Sequence, residues 1–449
     1  MRFLDLLRDI YDAGVVGAGG AGFPTHKKLN CKVEYLIING AECEPLLMTD
    51  QYLMRNKGDE VVAAAVLAGE SIGASHVIFA LKKKCVNEAR ILQGAIEKTN
   101  AKAEIFFLDE IYPAGDEHIL VYEVAGRMVE PGGIPQSVGT VVSNVNTVFN
   151  IFEAVNCRPV TSRYVTVAGE VRKPLIAKAP LGTPVTECIE AAGGTCLKEY
   201  SVIMGGPMMG KTYGMQQVKD RYITKTDGGI IVIPGDHYIV RRDSVPIEHT
   251  INQAKSACIQ CSFCTDMCPR YLIGHRLRPH KIMRAISMGL EDDETYSEAL
   301  ICSECGICEL YACPMGLSPR KVNIYIKNRL KSTGIKFSDT HIYFSDPSVR
   351  NFRKVPKWRL INRIGMAKYD RKVEDTVIEL HPETVCTPLK QHIGVPAVPV
   401  VLRGEKVREG QLIASVNYDQ TGANIHASID GRIEEISSTH IVIQSSGSR

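Results

Sequence analysis

Between residues 35 and 108 the chain alternates short apolar runs with longer stretches of helical periodicity. Runs at 35–39, 76–81 and 103–108 are strand-like, and the stretches at 57–72 and 85–99 read as helices. Leu4, Leu6, Leu7, Ile10 and Tyr11 mark an opening helix before the first strand. Strands alternating with helices of this length predict a parallel, Rossmann-like α/β sheet covered on both faces. The pattern sets a first domain at residues 1–160. From residue 161 to 248 short strands and turns take over, with a hairpin at 164–174 and a short helix ending on Gly193 and Gly194. Residues 249–335 are helical. Residues 336–370 lack periodicity and read as an irregular linker or wrapping strand. The last segment, 371–449, returns to β structure at 398–402, 411–415, 431–436 and 440–444.

Composition adds limits rather than detail. A chain of 449 residues has room for three or four domains, and 45% hydrophobic with 23% charged residues is ordinary for a globular protein. A net charge of +3, evenly spread, argues against nucleic acid as a partner. No run approaches eighteen apolar residues, so no transmembrane helix is expected, and the N-terminus lacks a signal-peptide core. Fifteen cysteines imply a reducing, cytoplasmic setting.

Eight of those cysteines carry the strongest chemical signal. Cys258, Cys261, Cys264 and Cys268 form a C-x2-C-x2-C-x3-C-P run; Cys302, Cys305, Cys308 and Cys313 form C-x2-C-x2-C-x4-C-P. Two 4Fe–4S clusters need eight thiolates, and in paired runs of this kind the fourth cysteine serves the other cluster. One cluster is therefore assigned Cys258, Cys261, Cys264 and Cys313, the other Cys302, Cys305, Cys308 and Cys268. Zinc is disfavoured because structural zinc uses two separated pairs, whereas here the third and fourth cysteines follow at once. The extra residue of the second run is expected to be absorbed by a helical turn. The remaining cysteines (31, 43, 85, 157, 188, 196 and 386) are expected to be buried free thiols, with Cys43 set apart by its neighbours.

Residues 17–22, Gly-Ala-Gly-Gly-Ala-Gly, match G-x-G-x-x-G, and Glu42 lies twenty residues on. A dinucleotide fingerprint must follow a strand and open a helix, and here a helix precedes it. Successive glycines instead suit a backbone nest for an anion. The loop with Lys28, the stretch Asn39-Gly-Ala-Glu42-Cys-Glu44-Pro45 and the turn Ser143-Asn144-Val-Asn146-Thr147 together resemble the flavin subunit of respiratory complex I and, more closely, its RnfC-like branch. That resemblance implies that Gly17, Gly19, Gly20, Gly22, Lys28, Asn39, Asn144, Asn146 and Thr147 bind FMN. It implies too that Glu42 and Glu44 line the pocket where NADH meets the flavin; hydride transfer needs no acid or base, so the catalytic part expected of this pair is to bond ribose hydroxyls or set the local potential. Ala41 stands where the complex I protein has an Asp, so that residue's role does not transfer.

Residues 163–210 resemble the SLBB β-grasp domain, in which Met204, Met208 and Met209 are read as core or interface filler. The C-terminal segment is similar to a barrel-sandwich hybrid. Its turn at Asn424-Ile-His-Ala-Ser428 lacks the lysine that carries biotin or lipoate, and His392 and His426 are read as satisfied turn residues. Arg270, Arg276, Arg278, His280 and Lys281 read as a solvated basic helix face, with docking of an acidic partner as the alternative. With the barrel element last, the whole chain resembles the corrin reductases of propanediol-utilisation microcompartments. The resemblance implies electron flow from NADH through FMN and two 4Fe–4S clusters to a cobalamin or a cobalamin-handling protein, in the service of a B12-dependent diol dehydratase. Implied with it are a microcompartment shell or enzyme partner, a cytoplasmic or encapsulated location, and a homo-oligomer. The alternative is an RnfC-like subunit feeding a membrane ion-pumping complex or an amino-acid (proline) reductase.

Overall fold

The computed structural model describes residues 6–339, 341–343, 347–371 and 377–446. The opening helix runs Leu6–Asp12. Leu4, expected within it, lies outside the described residues, as do parts of the expected linker (340 and 344–346) and of the last segment (372–376 and 447–449).

Four parallel strands form the first sheet: β1 (Tyr35–Gly40), β2 (His76–Lys82), β3 (Glu104–Leu108) and β4 (Thr140–Asn144), in the order β3-β2-β1-β4. Leu36, Ile37, Ile38, Phe79, Ala80 and Leu81 are wholly buried, as a parallel sheet covered on both faces requires. The strand order reverses between β1 and β4. The carboxyl ends of these two strands therefore flank a crevice, and Asn39 and Asn144 sit in register across it.

A second sheet of six strands joins Ser162–Gly169, Leu175–Pro180, Tyr200–Met204, Lys211–Gly214, Gly229–Pro234 and Val377–Glu379. The last of these, expected within the C-terminal segment, pairs in parallel with Leu175–Pro180 instead. Helices Ile247–Ala257, Pro279–Ser287 and Pro319–Thr333 pack their apolar faces together around the cysteine runs. A π-helical turn at Ile307–Ala312 takes up the extra residue of the second run, so Cys313 still turns inward. Two small sheets close the chain, one built from Thr384–Pro388, His440–Ser445, Gly431–Ile436 and Lys406–Val407, the other from Val398–Pro399, Leu412–Ser415 and Ile425–His426.

From Pro347 onward the expected linker is largely regular. Helices Pro347–Arg353 and Lys357–Arg363 flank Val355–Pro356, which pairs antiparallel with Ile111–Tyr112 of the first domain. Leu360, Ile361, Ile364 and Met366 are buried in a core shared with Tyr112, Ile239, Ile307 and Leu310. Seven-residue helices are too short to declare a periodicity in sequence, and this one folds because three domains supply its apolar surroundings.

Lys225 ties the first, second and last domains together. Its ammonium is buried and donates to the carbonyls of Gly14 (2.7 Å) and Asn424 (2.6 Å), while its backbone N–H donates to Gln391 (3.0 Å). Gly14 has φ +68°, and a Cβ there would lie 2.2 Å from the Asn424 carbonyl oxygen, so only glycine permits this approach. Burial without an acidic partner pushes Lys225 from 10.5 down to about 7. Between those values the unfolded chain holds a proton that the folded chain lacks, so Lys225 makes stability rise with pH across that window. Thermal unfolding of wild type against Lys225→Met is expected to show an advantage for wild type that grows from about pH 7 to 10.5; a difference constant with pH would contradict the buried amine.

Candidate functional site: a glycine-lined crevice and two thiol quartets

The glycine loop is a closed turn, held by a bridge between Val16 and Pro24 and by a hydrogen bond from Gly17 N to Phe23 O (2.9 Å). It sits over the crevice: Ala18 N donates to Thr147 Oγ1 (2.9 Å), and a Cβ on Gly19 would come within 3.0 Å of the Asn144 side chain. The amides of Gly19 and Gly20 have no partner among the described residues, and Gly20 faces open space. Adjacent free amides on a loop without side chains are a ready anion cradle. Gly22 takes φ +74° where the loop packs on His392 and Thr226.

The asparagines beneath the loop are oriented by a residue that sequence reasoning missed. Asp50 accepts from Asn144 Nδ2 (2.8 Å) and Asn146 Nδ2 (2.7 Å), and Arg163 in turn donates to Asn146 Oδ1 (3.1 Å) and the Ala18 carbonyl (2.7 Å). Asp50 lies 94 and 96 residues from these partners, so no local motif announces it. Its carboxyl is pushed above its usual range by burial.

The two motif glutamates are held from opposite sides. Glu42, at φ +37°, accepts from Asp50 N (2.9 Å) and Gln51 Nε2 (2.8 Å) and so caps the helix Thr49–Asn56. Burial, then the neighbouring Asp50, pushes it up to about 7. Glu44 accepts from Met208 N (2.9 Å) and Tyr112 OH (3.3 Å), and burial raises it too. The Lys357 ammonium donates to the carbonyls of both glutamates (3.4 and 3.2 Å), and burial, then Lys82 and Lys84, lowers it to about 8. Lys82, at the carboxyl end of β2, is fully buried with no hydrogen-bond partner for its ammonium among the described residues. Free loop amides and an orphaned ammonium fit an anionic, polar-ringed cofactor in the crevice.

The eight cysteines gather as two quartets. One small cavity, of about 30 Å³, is lined by Cys258, Cys261, Cys264 and Cys313; another, of about 10 Å³, is lined by Cys268, Cys302, Cys305 and Cys308. Among the described residues no three His, Cys, Asp or Glu side chains converge on a single-ion site. Donors already point at the sulfurs: Gln260 Nε2 to Cys258 (3.1 Å), Glu304 N to Cys302 (3.4 Å) and Leu317 N to Cys313 (3.3 Å). Burial pushes the Cys264 and Cys268 thiols up to about 12, so the donor set suits a cationic iron core that supplies the missing charge.

Lys28 and Asn39 already have protein partners. Lys28 pairs with Glu117 (2.7 Å), and Asn39 with the Gly115 carbonyl (3.0 Å). Met208 is buried while Met209 is exposed. His392 is satisfied by the Ile393 carbonyl and Ala423 N, but buried His426 Nδ1 has no partner among the described residues, against expectation. Nor are the other thiols uniformly buried: Cys157 and Cys196 are exposed. The arginines of the basic cluster are paired rather than free, while Lys281 is exposed. Arg270 pairs with Asp116 (2.9 Å), Arg276 with Glu294 (2.6 Å), and Arg278 with the buried Glu298. These acids lie up to 154 residues away in sequence, which hid the neutralisation.

Comparison with known proteins follows the same division. The Nuo51 FMN-binding domain model matches residues 10–153, the SLBB domain 164–212, the 4Fe–4S dicluster domain 257–318 and the RnfC barrel sandwich hybrid domain 365–448. The chain thus combines a flavin domain with a dicluster domain, and the helix-covered parallel sheet and closing β segment agree with the expected architecture. The NAD+-reducing NiFe hydrogenase in its H2-reduced state has a similar fold, with TM-score 0.51 and 22% identity over 77% of this chain and 69% of that one. One component of the Na(+)-translocating ferredoxin:NAD(+) oxidoreductase complex of Acetobacterium woodii is 34% identical over 59% of this chain and 57% of its own length. Cobalamin reductase PduS from Salmonella typhimurium is 40% identical, and that from Citrobacter freundii 38%, each over 96% of this chain and 94% of the relative. With near-complete coverage of both, and all four domains in place, the chain belongs to the PduS family of cobalamin reductases.

Proposed function

We propose that the chain is an NADH-dependent flavin and iron–sulfur oxidoreductase whose acceptor is a cob(III)alamin. The observation that supports this reading is that one thiol quartet adjoins the crevice through buried contacts while the other is the less buried of the two. Tyr112, which bonds Glu44 at the crevice, also donates to the Cys305 carbonyl (2.8 Å), and the Met208 loop that bonds Glu44 packs on Gly306. The quartet of Cys268, Cys302, Cys305 and Cys308 therefore adjoins the flavin domain and is the more buried. The quartet of Cys258, Cys261, Cys264 and Cys313 is half-buried and is taken as second in the path.

In this reading the free amides of Gly19 and Gly20 hold the FMN phosphate, and Asn144, Asn146 and Thr147 are fixed by Asp50 and the loop to meet the rest of the cofactor. Gly17, Gly22, Lys28 and Asn39 shape the rim, while Glu42 and Glu44 face the nicotinamide side. When bound, the flavin accepts a two-electron hydride and the clusters carry electrons singly. The balance is one NADH to NAD+ and a proton, with two cob(III)alamins each taking one electron. The setting, inherited from the family resemblance, is cytoplasmic or within a microcompartment serving a B12-dependent diol dehydratase. No helix among the described residues is long and apolar enough to cross a membrane.

Two expectations test the arrangement. Asp50→Asn sets one amide donor against another beneath Asn144 and Asn146, so FMN should dissociate roughly ten- to hundredfold more readily, from the loss of a charged hydrogen bond, with iron content unchanged. Equal FMN affinity would remove Asp50 from the site. For the cluster order, anaerobic NADH titration followed by EPR should reduce two clusters in wild type and one in Cys313→Ser. In Cys305→Ser it should reduce none, although dithionite still reduces the remaining cluster. NADH reducing the remaining cluster in Cys305→Ser would reverse the order.

A further inference from the structure

Beside the half-buried quartet lies an open trough of about 700 Å³, within the size range of small-molecule sites. Its floor is the stretch that carries the ligands: Phe263 immediately precedes Cys264, and Pro314 immediately follows Cys313. The opposite wall is the outer face of the helix Lys357–Arg363, which presents Trp358, Arg359, Asn362 and Arg363. That helix spends its other face on structure, burying Lys357, Leu360 and Ile361, so its outer residues are not needed for packing. Trp358, the chain's one tryptophan, is 61% exposed, and Phe263 is 43% exposed. The Arg359 guanidinium lies over the indole, 5.2 Å from its centroid, and neither Arg359 nor Arg363 has an acidic partner among the described residues.

We infer that this trough is the docking site of the corrin acceptor. The inference rests on the proposed function and adds where and by which residues the acceptor is held. A cobalamin is a broad, flat macrocycle with apolar faces, an amide fringe and one phosphodiester. Exposed indole and phenyl rings offer stacking surface for the macrocycle. Two unpaired guanidiniums complement the phosphodiester, a group that arginine recognises in preference to lysine. Asn362 suits the amide fringe. The position is chemically apt because the trough adjoins Cys264 and Cys313, ligands of the outer quartet in the proposed order. An aquocobalamin seated there takes one electron at cobalt and releases its axial water, leaving cob(II)alamin. The electron comes ultimately from NADH.

The test uses the anaerobic holoprotein and two variants, Trp358→Ala and the double variant Arg359→Glu with Arg363→Glu. All three side chains lie on the helix's outer face, so NADH should bleach the flavin and reduce both clusters in each variant as in wild type. Reoxidation by aquocobalamin, followed by stopped flow, should need roughly tenfold more corrin in Trp358→Ala, the loss seen when a stacking aromatic is removed. Equilibrium dialysis of aquocobalamin should show the same weakening without turnover. Wild type should bind aquocobalamin more tightly than diaquocobinamide, which lacks the phosphodiester, and the double arginine variant should lose that preference. If wild type discharges into aquocobalamin and both variants do so equally, the trough is not the corrin site. Sedimentation that shows wild type self-associating and the variants monomeric would then assign it to a second copy of the chain. If wild type reduces its clusters but never discharges into the corrin, the proposed function itself falls, and the docking site with it.

Discussion

The contact on which the rest of the arrangement depends is the buried junction at Glu44. Its two carboxylate oxygens take the Met208 amide from the second domain and the Tyr112 hydroxyl from the first, and that hydroxyl also reaches the Cys305 carbonyl. A Cβ on Gly206 would stand 2.2 Å from Glu44 Oε2, so the glycine loop of the second domain is cut to fit this side chain. Three domains thus meet within a few hydrogen bonds, and a buried group deprived of its partner there would cost about 1–3 kcal/mol. Electron transfer between separately folded modules requires that their centres hold one fixed spacing. Here the spacing is set by packing and buried polar contacts rather than by a flexible tether.

The helix Lys357–Arg363 extends the same logic outward. Lys357 reaches the carbonyls of Glu42 and Glu44, while the residues one position further along face solvent beside the outer quartet. One short helix therefore touches both the crevice and the neighbourhood of Cys264 and Cys313. Its burial depends on apolar residues that include Tyr112, Ile239 and the π-helical turn after Cys305, so it forms only when the domains are assembled. At the far side Lys225 performs a comparable service, replacing an ion pair by two carbonyl acceptors.

What the sequence made legible was whatever is local. The cysteine runs supply their ligands within a few residues, and spacing alone grouped them into the quartets that line the two cavities. Alternating strands and helices declared the parallel sheet, and the glycine loop's wrong context excluded a dinucleotide fingerprint before its free amides were seen. What stayed hidden was long-range. Asp50 acts on asparagines far along the chain; Arg270, Arg276 and Arg278 looked like a basic face because their acids come from other elements. The segment at 336–370 looked irregular because a seven-residue helix shows barely two turns of pattern. Val377–Glu379 joined a strand 201 residues upstream, counted from Glu379 to Lys178.

In the proposed path, hydride electrons entering at the glycine-lined crevice leave singly through two clusters to a cobalt corrin. The most direct measurement is the anaerobic stoichiometry of turnover, with NADH loss and cob(II)alamin formation recorded together on the reconstituted protein. Two cob(II)alamins should form for each NADH consumed, with no product when either substrate is omitted. NADH oxidation that proceeds without cob(II)alamin would contradict it and leave an electron carrier for a different acceptor.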